Sequence, residues 1–287
     1  MAEAWVDSHI HLIDRSRLHY SWLDAVSDEW AAIMGDYSPL MRDFVAEDFL
    51  ETALPEGLTK LVHVEAAFGA EPVAETEWLQ GEADRIGIPM AIVGRADLAG
   101  SDVGALLDRH LAFPAFRGVR MLWGLANAPP DEFRRGFAAL VDRDLIFEEP
   151  ATFEQFPALA KLASDFPSAR IVLGHCGLPL ARDAGYLDEW RRALGELAKQ
   201  PNVACKISGL AMTDHRWTFD HMKSVTDAVI DVFGAERTFM GSNWPVESLY
   251  FETYGRLIDT YRDLVADYST DERQALMSGT ASRIFKI

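Results

Sequence analysis

The feature that most constrains the fold is a repeated alternation of short apolar segments with segments of helical periodicity. Eight apolar segments are rich in β-branched residues, as strands are. From the second one onward they begin 25 to 35 residues apart, which is the spacing of repeated βα units. The predicted strands are 4–11, 58–67, 88–96, 116–122, 143–149, 169–175, 202–209 and 237–242.

The segments between these strands carry helix signals. In "EPVAETEWLQGEADRIG" the residues Glu75, Trp78, Leu79 and Ala83 recur at helical spacing, and Gly87 is placed to end the helix. Two later segments, "YLDEWRRALGELAKQPN" and "FDHMKSVTDAVIDVFG", are also amphipathic and end at a Pro and a Gly. Apolar strands that alternate with helices indicate a parallel sheet covered on both faces.

Two architectures fit this order of elements. Eight βα units within 287 residues close most simply into a (β/α)8 TIM barrel, and we predict a single α/β domain over residues 1–287. An open, doubly wound sheet is the second choice. It is disfavoured because no Gly-rich phosphate loop follows any of the predicted strands.

The first connection, residues 12–57, is much longer than the others and contains several aromatic residues. Tyr20, Trp22 and Trp30 have an ordinary explanation as residues that pack on the barrel. A long loop at a barrel mouth is also often functional, so some of these rings are candidates for the wall of a pocket.

Charge and composition limit the partners. The net charge of −18 argues against nucleic acid, which needs a face of Lys and Arg. No apolar run reaches the roughly 18 residues of a membrane span. Cys176 and Cys205 are expected to be reduced core thiols, and the N-terminus has no basic segment typical of a signal peptide. We therefore expect a cytoplasmic protein, either a monomer or a small homo-oligomer, without nucleic-acid or membrane partners.

Polar residues occur where the predicted strands end, which is where the catalytic groups of a barrel project. His9 and His11 are two positions apart and so face the same way, as do His63 and Glu65. The other strand ends supply Arg120, Glu148 or Glu149, His175, Lys206 and Asn243. Each has an ordinary structural explanation, but burying so many polar groups is costly unless they converge and compensate one another.

The motifs that carry these residues resemble those of a known superfamily. The segments "VDSHIHLID", "YSWL", "VHVEAAFGAEPVAETEWL", "FRGVR", "IVLGHCGLP", "CKISGL" and "FMGSNWPVE" occur in order along the chain. They look like the amidohydrolase superfamily and are most similar to its lactonases, which act on sugar-acid lactones and pyrone dicarboxylates. The resemblance implies a (β/α)8 barrel that opens a small cyclic ester with water.

The resemblance also implies roles for particular residues. His9 and His11 match the first-strand pair, Arg120 the fourth-strand arginine and His175 the sixth-strand histidine. Many superfamily members bind divalent metals with such histidines and an aspartate after strand eight, but Asn243 stands at that position here. The fifth strand, "LIFEEP", also lacks a histidine. The lactonase branch works with little or no metal, so we expect no required cofactor; the alternative is one divalent ion such as zinc on His9 and His11.

Lactone hydrolysis needs a positioned water, a base and donors for the developing oxyanion. We expect His9, His11 and Arg120, with Lys206, to form a positive cluster for the carbonyl oxygen and a substrate carboxylate. Asn243 is too weak a base and is expected to orient the water. His175 or Glu65 then remains as the base, with a pH limb at about 6 to 7 for a histidine or about 5 to 6 for a glutamate.

Further residues are predicted to bind the substrate, namely His63, Lys206, Trp22, Glu148 and Trp244. Two other functions stay open at this point. One is a metal-dependent amidohydrolase or non-oxidative decarboxylase on the same barrel. The other is a barrel that has lost its chemistry and only binds a small acid.

Overall fold

The predicted barrel is confirmed. The computed structural model describes residues 4–127 and 130–287, and its eight strands are parallel and adjacent in chain order from β1 to β8. The strands are β1 Trp5–Ile10, β2 Leu58–Val64, β3 Met90–Arg95, β4 Phe116–Arg120, β5 Ile146–Glu149, β6 Arg170–Leu173, β7 Val203–Ile207 and β8 Thr238–Met240.

Helices follow the strands, and most of them cover the outside of the barrel. They are α1 Asp28–Met34, α2 Ala46–Ala53, α3 Pro72–Ile86, α4 Val103–Leu111, α5 Gly124–Asn127, α6 Pro130–Asp142, α7 Phe156–Asp165, α8 Ala184–Leu197, α9 Phe219–Phe233, α10 Tyr254–Leu264, α11 Thr270–Gln274 and α12 Thr280–Phe285. The predicted stop of α3 is confirmed, because Gly87 adopts the left-handed conformation with φ of 75°. None of the helices described here is long and apolar enough to cross a membrane.

The barrel closes between β8 and β1 through the backbone of residues predicted for the site. The Asn243 N–H donates to the His9 carbonyl over 2.8 Å, and the His11 N–H donates to the Trp244 carbonyl over 2.7 Å. Beside this seam, the buried carboxylate of Asp7 accepts from the N–H groups of His9 and Ser242. The same contacts that close the sheet therefore place Asn243 next to the histidine pair.

Three apolar clusters organise the interior. One fills the barrel itself with small and β-branched side chains such as Val62, Val93 and Val172. A second, much larger cluster packs the helices against the outside of the sheet. The third joins the first connection to the loops at the barrel mouth, with Tyr20 and Leu23 fully buried in it. We call residues 13–44 the cap, because this segment packs across the C-terminal end of the barrel.

The strands are shorter than predicted, mainly at their C-terminal ends. Predicted strand 169–175 ends at Leu173, and predicted strand 237–242 ends at Met240. Beyond these points His175 and Asn243 have positive φ angles, of 50° and 56°. A residue with this backbone conformation cannot continue the hydrogen-bonded ladder of a β-strand. The chain therefore turns at these two residues and presents their side chains at the mouth of the barrel.

Candidate active site

A cavity opens at the C-terminal end of the barrel, beneath the cap, and the space between its lining residues is about 580 Å³ when the open solvent at its mouth is included. Its polar lining comes from five residues that the sequence predicted for the site: His11, Glu65, Arg120, His175 and Asn243. The structure therefore brings together residues from β1, β2 and β4 and from the turns after β6 and β8.

The remaining wall of the cavity is apolar and largely aromatic. Trp22 and Trp30 of the cap line it together with Phe68 and Trp123. Trp30 stacks on Phe68 with ring centroids 6.0 Å apart, while the Trp22 indole N–H donates to the Ala66 carbonyl over 2.9 Å. The expectation that some cap aromatics form a pocket wall is thus confirmed for Trp22 and Trp30, whereas Tyr20 is a core residue of the cap.

Arg120 and Glu65 form an ion pair on the cavity wall. The Arg120 Nε–H donates to Glu65 Oε1 over 2.9 Å, and Nη2–H donates to the Glu65 carbonyl over 2.8 Å. The second carboxylate oxygen, Oε2, is buried without a hydrogen-bond partner. Burial raises the pKa of Glu65 to about 8, although Arg120 favours the charged form. Glu65 can therefore exchange a proton near neutral pH.

Lys206 and Glu148 form a second ion pair, below the cavity and fully buried. Lys206 Nζ donates to Glu148 Oε1 over 2.9 Å and to Oε2 over 2.8 Å. The same ammonium lies 3.4 Å from His9 Nδ1, while Glu148 Oε1 lies 3.5 Å from that nitrogen. Burial lowers the pKa of Lys206, and the Glu148 carboxylate opposes this shift. This pair contacts the underside of His9 and does not line the cavity.

His9 of β1 and His11, just after the end of this strand, contact each other directly. His9 Nε2 lies 3.2 Å from His11 Nε2, and His11 Nδ1 lies 2.8 Å from the Val64 carbonyl oxygen. Burial holds the pKa values of both imidazoles well below their usual range, with Lys206 adding to the effect at His9 and Arg120 at His11. Both rings are therefore neutral at physiological pH.

His175 approaches the same place from the turn after β6. Its ring centroid is 4.6 Å from that of His9, and its Nδ1 is 2.9 Å from the Ser208 hydroxyl. Burial, with Arg120 and Lys206 nearby, lowers its pKa to about 3. The imidazole is a neutral group that exposes its other nitrogen, Nε2, for a substrate or a water.

Asn243 projects from the loop after β8 and is almost fully buried. Its amide nitrogen lies 3.6 Å from the Met212 sulfur. Glu247, four residues later, accepts from the Met212 N–H over 3.1 Å, and burial raises its pKa to about 7. The nearby Asn243 side chain opposes this rise in pKa. The Glu247 N–H also donates to the Asn243 carbonyl over 3.2 Å, which holds the turn that carries Asn243.

Four predicted substrate-binding residues, and also His9 of the predicted catalytic residues, do not line the cavity, and this corrects the sequence-based expectation. Lys206 and Glu148 lie beneath it, as described. His63 is fully buried beside Leu12, whose carbonyl oxygen is 3.3 Å from Nε2. Trp244 packs edge-on against Tyr254 on the outside of the barrel, with ring centroids 5.6 Å apart.

The depth of a residue in the barrel explains most of this correction. We call His9, His63, Glu148 and Lys206 the lower layer, because each is the next-to-last residue of its strand. A strand rises about 3.3 Å per residue, so two positions correspond to roughly 6.6 Å along the strand. The residues two positions later, which we call the upper layer, are His11, Glu65, Pro150 and Ser208; three of them line the cavity and Ser208 contacts His175.

Several residues that shape the site could not be recognised from the strand-end pattern of the sequence. Trp123 and Met212 line the cavity but belong to loops without a strand-end signal. The sequence pattern indicated only that Glu75 recurs at helical spacing with Trp78, Leu79 and Ala83. Glu75 is buried and accepts from the N–H groups of Ala66 and Ala67, which fixes the chain where β2 leaves the barrel.

The donor groups do not form a complete metal site. Among residues 4–127 and 130–287, no group of three or more His, Cys, Asp or Glu side chains is arranged to hold an ion. His9 and His11 would supply two imidazoles, but their Nε2 atoms face each other at a distance that suits a hydrogen bond.

The fold and site together are those of an amidohydrolase. A model of the amidohydrolase family matches residues 6–287, so the chain belongs to this family, and it is a hydrolase. Among characterised relatives, L-fucono-1,5-lactonase of Burkholderia ambifaria is 30% identical over 262 residues, covering 86% of this chain and 87% of the relative. The protein y4mH of Sinorhizobium fredii is 35% identical and covers 99% of both chains.

Solved structures agree with this assignment. An amidohydrolase of Burkholderia multivorans with bound zinc superimposes with a TM-score of 0.82 at 27% identity, covering 99% of this chain and 100% of the other. The relatives therefore make this chain a lactone hydrolase or a closely related amidohydrolase. They include a zinc-bound protein, so the metal state of this chain has to be judged from its own residues.

Proposed function

We propose that this protein hydrolyses an uncharged sugar-acid 1,5-lactone without a required metal. The observation that carries the proposal is the cavity in which the Arg120–Glu65 pair, His175 and Asn243 meet an aromatic wall. Its relatives named L-fucono-1,5-lactonase support a lactone as the substrate. The aromatic wall suits the apolar faces of a sugar ring, while the polar groups are few and grouped at one end.

The preference for an uncharged lactone follows from how the cations are paired. From the sequence we expected a positive cluster that would bind a substrate carboxylate. Arg120 and Lys206 each have a buried carboxylate partner instead, and the neighbouring histidines are neutral. A substrate carboxylate would have to compete with Glu65 for Arg120. This favours a neutral sugar-acid lactone over a pyrone dicarboxylate.

In the proposed mechanism, Glu65 acts as the base and Arg120 as the electrophile. Asn243 holds the attacking water through its amide. Glu65 takes one proton from this water as its oxygen bonds to the lactone carbonyl carbon, and Arg120 N–H groups not bonded to Glu65 donate to the developing oxyanion. The ring C–O bond then breaks, and the proton passes from Glu65 to the leaving alkoxide. The product is the open hydroxy acid.

His175 is a second candidate for the base. Ser208 can accept a hydrogen bond from its Nδ1–H, which would leave a lone pair on Nε2 at the cavity. With a pKa of about 3 this imidazole is deprotonated throughout the physiological range but is a weak base. The two candidates therefore predict different pH profiles, as described in the Discussion.

The test is a panel of lactones whose opening is followed with a pH indicator, with the uncatalysed rate subtracted. We expect turnover of neutral sugar-acid 1,5-lactones, much slower turnover of pyrone dicarboxylates, and unchanged rates after exhaustive chelation. Activity that is lost on chelation and restored by zinc would support the metal-dependent alternative. No turnover of any lactone, together with binding of small acids, would support a binding protein.

A further inference from the structure

Lys206 restricts where the proton of His9 can be. An ammonium group has three N–H donors and no acceptor. The three acceptors around Nζ are Glu148 Oε1, Glu148 Oε2 and His9 Nδ1, at 2.9, 2.8 and 3.4 Å. A proton on Nδ1 would place two donors against each other in a fully buried space. The His9 proton is therefore on Nε2, and Nδ1 has the lone pair.

The other end of the histidine pair gives the same answer independently. His11 Nδ1 is 2.8 Å from the Val64 carbonyl oxygen, which can only accept, so this nitrogen carries the His11 proton. His11 Nε2 then has a lone pair. The contact of 3.2 Å between the two Nε2 atoms needs one hydrogen, and the His9 Nε2–H supplies it.

We infer that Lys206 keeps divalent metal out of this barrel by holding His9 in the tautomer whose Nε2 carries the proton. A neutral imidazole binds a metal through a lone pair. To present one at Nε2, His9 would have to move its proton to Nδ1, where it would face the Lys206 ammonium. Metal-binding histidines instead donate their other N–H to a carboxylate or carbonyl.

Such a carboxylate is already present. Glu148 Oε1 is 3.5 Å from His9 Nδ1. This oxygen would accept a proton carried by Nδ1 if it were not bonded to the Lys206 ammonium. Lys206 thus keeps His9 from entering a carboxylate–histidine–metal arrangement with Glu148. A lysine-to-neutral substitution should convert His9 and His11 into two ligands that both point lone pairs at one position.

This inference concerns the metal state and rests on the proposed function only in that both treat metal as dispensable. The two can fail separately. Lactone hydrolysis by a protein that binds zinc tightly through His9 would overturn the inference and leave the reaction standing. A chain that hydrolyses no lactone but gains zinc when Lys206 is replaced would contradict the proposed function and support the inference.

The first measurement uses the unaltered protein, labelled with ¹⁵N at histidine. We expect NMR to show a protonated Nε2 and an unprotonated Nδ1 for His9, assigned by comparison with His9→Gln. The opposite tautomer at His9 would overturn the inference whatever the variants do. This measurement does not depend on any variant folding.

The second measurement is the zinc content of variants after dialysis against a dilute zinc buffer. We expect Lys206→Met to bind zinc roughly 10- to 100-fold more tightly than wild type, the range associated with changes next to metal ligands. The paired variant Lys206→Met with Glu148→Gln also frees Nδ1 but leaves no unpaired buried charge, so it protects the test against misfolding. Glu148→Gln alone keeps Lys206 and should stay as zinc-poor as wild type.

Two controls locate any zinc that is gained. Adding His9→Gln to the Lys206→Met background should abolish the gain, because a surface site would not respond to His9. Lys60→Met removes a lysine at the opposite end of the barrel, where Nζ donates to Ser282 and to the Ile287 carbonyl, and should leave zinc binding unchanged. Equal zinc affinity in wild type and both folded Lys206 variants would overturn the inference.

Discussion

The two buried ion pairs at the barrel mouth contain similar charges but differ in what they contact. Arg120 and Glu65 line the cavity, and one carboxylate oxygen of Glu65 has no partner. Lys206 and Glu148 lie one layer deeper, and both Glu148 oxygens are bonded to the ammonium. The upper pair is therefore available to a substrate, while the lower pair can only act on His9.

This difference shows how one type of interaction serves two purposes in the same barrel. Burial raises the pKa of Glu65 to about 8 although Arg120 opposes the shift, and a pKa near neutrality suits proton transfer. The fully paired lower site has every donor of Lys206 matched with an acceptor, which suits a fixed orientation of His9. Changes to the lower pair should mainly affect stability and the tautomer of His9, and changes to the upper pair should mainly affect turnover.

The largest effect is expected from breaking the lower pair. Lys206→Met leaves Glu148 as a buried carboxylate without its ammonium, so the free energy of unfolding should fall by about 3 to 5 kcal/mol. Urea denaturation measures this value, and Lys60→Met is the matched control, with an expected loss of about 1 kcal/mol. The paired variant with Glu148→Gln should recover much of the loss. A loss below about 1 kcal/mol for Lys206→Met would contradict the structural role of this pair.

Breaking the upper pair should instead affect catalysis. Arg120→Met removes the donor for the oxyanion. The resulting fall in kcat/KM should correspond to a loss of about 2 to 4 kcal/mol of transition-state stabilisation. Stability should change less, because Glu65 without Arg120 can take up a proton at neutral pH. Turnover and urea denaturation are measured on one preparation. A destabilised protein with near-normal turnover per folded molecule would show that Arg120 is only structural.

The pH profile tests which group is the base. A general base must be deprotonated to act, and a raised pKa moves its deprotonation to higher pH. With Glu65 as the base, kcat/KM should therefore rise about tenfold per pH unit up to a pH of about 8. With His175 as base, a pKa of about 3 would leave the profile flat above about pH 5. Both values differ from the limbs expected from sequence, because burial shifts the two groups in opposite directions. Glu65→Gln should remove the limb, and a limb that persists in this variant would exclude Glu65.

The smallest effect is expected at Asn243, the neutral residue of the same cavity. Asn243→Ala removes the anchor of the water and should lower kcat/KM about tenfold, while the pH limb stays in place. Alanine at a φ of 56° also costs about 1 to 2 kcal/mol of stability. Asn243→Gly is the matched control, since it removes the amide without this strain. If the rise of kcat/KM with pH disappears in both variants, Glu65 is not the only group that takes part in the proton transfer.

The sequence anticipated the side-chain directions of the site better than their depths. The spacing of two between His9 and His11 placed both on one face, and their Nε2 atoms do meet. The same spacing predicted that the side chains of His63 and Glu65 point the same way, but only that of Glu65 reaches the cavity. Depth depends on how neighbouring strands are staggered, and that is a property of the closed sheet.

By itself, the sequence determined the (β/α)8 architecture, because the alternation of apolar strands and amphipathic helices is local and repeats along the chain. It also identified the residues that converge at the mouth, because a barrel brings all its strand ends to one side. Only the tertiary structure decided which cation pairs with which carboxylate and which pair faces the cavity. Those choices depend on contacts between residues such as Glu148 and Lys206, 58 positions apart, whose distance is set by strand stagger and by the closure of β8 onto β1.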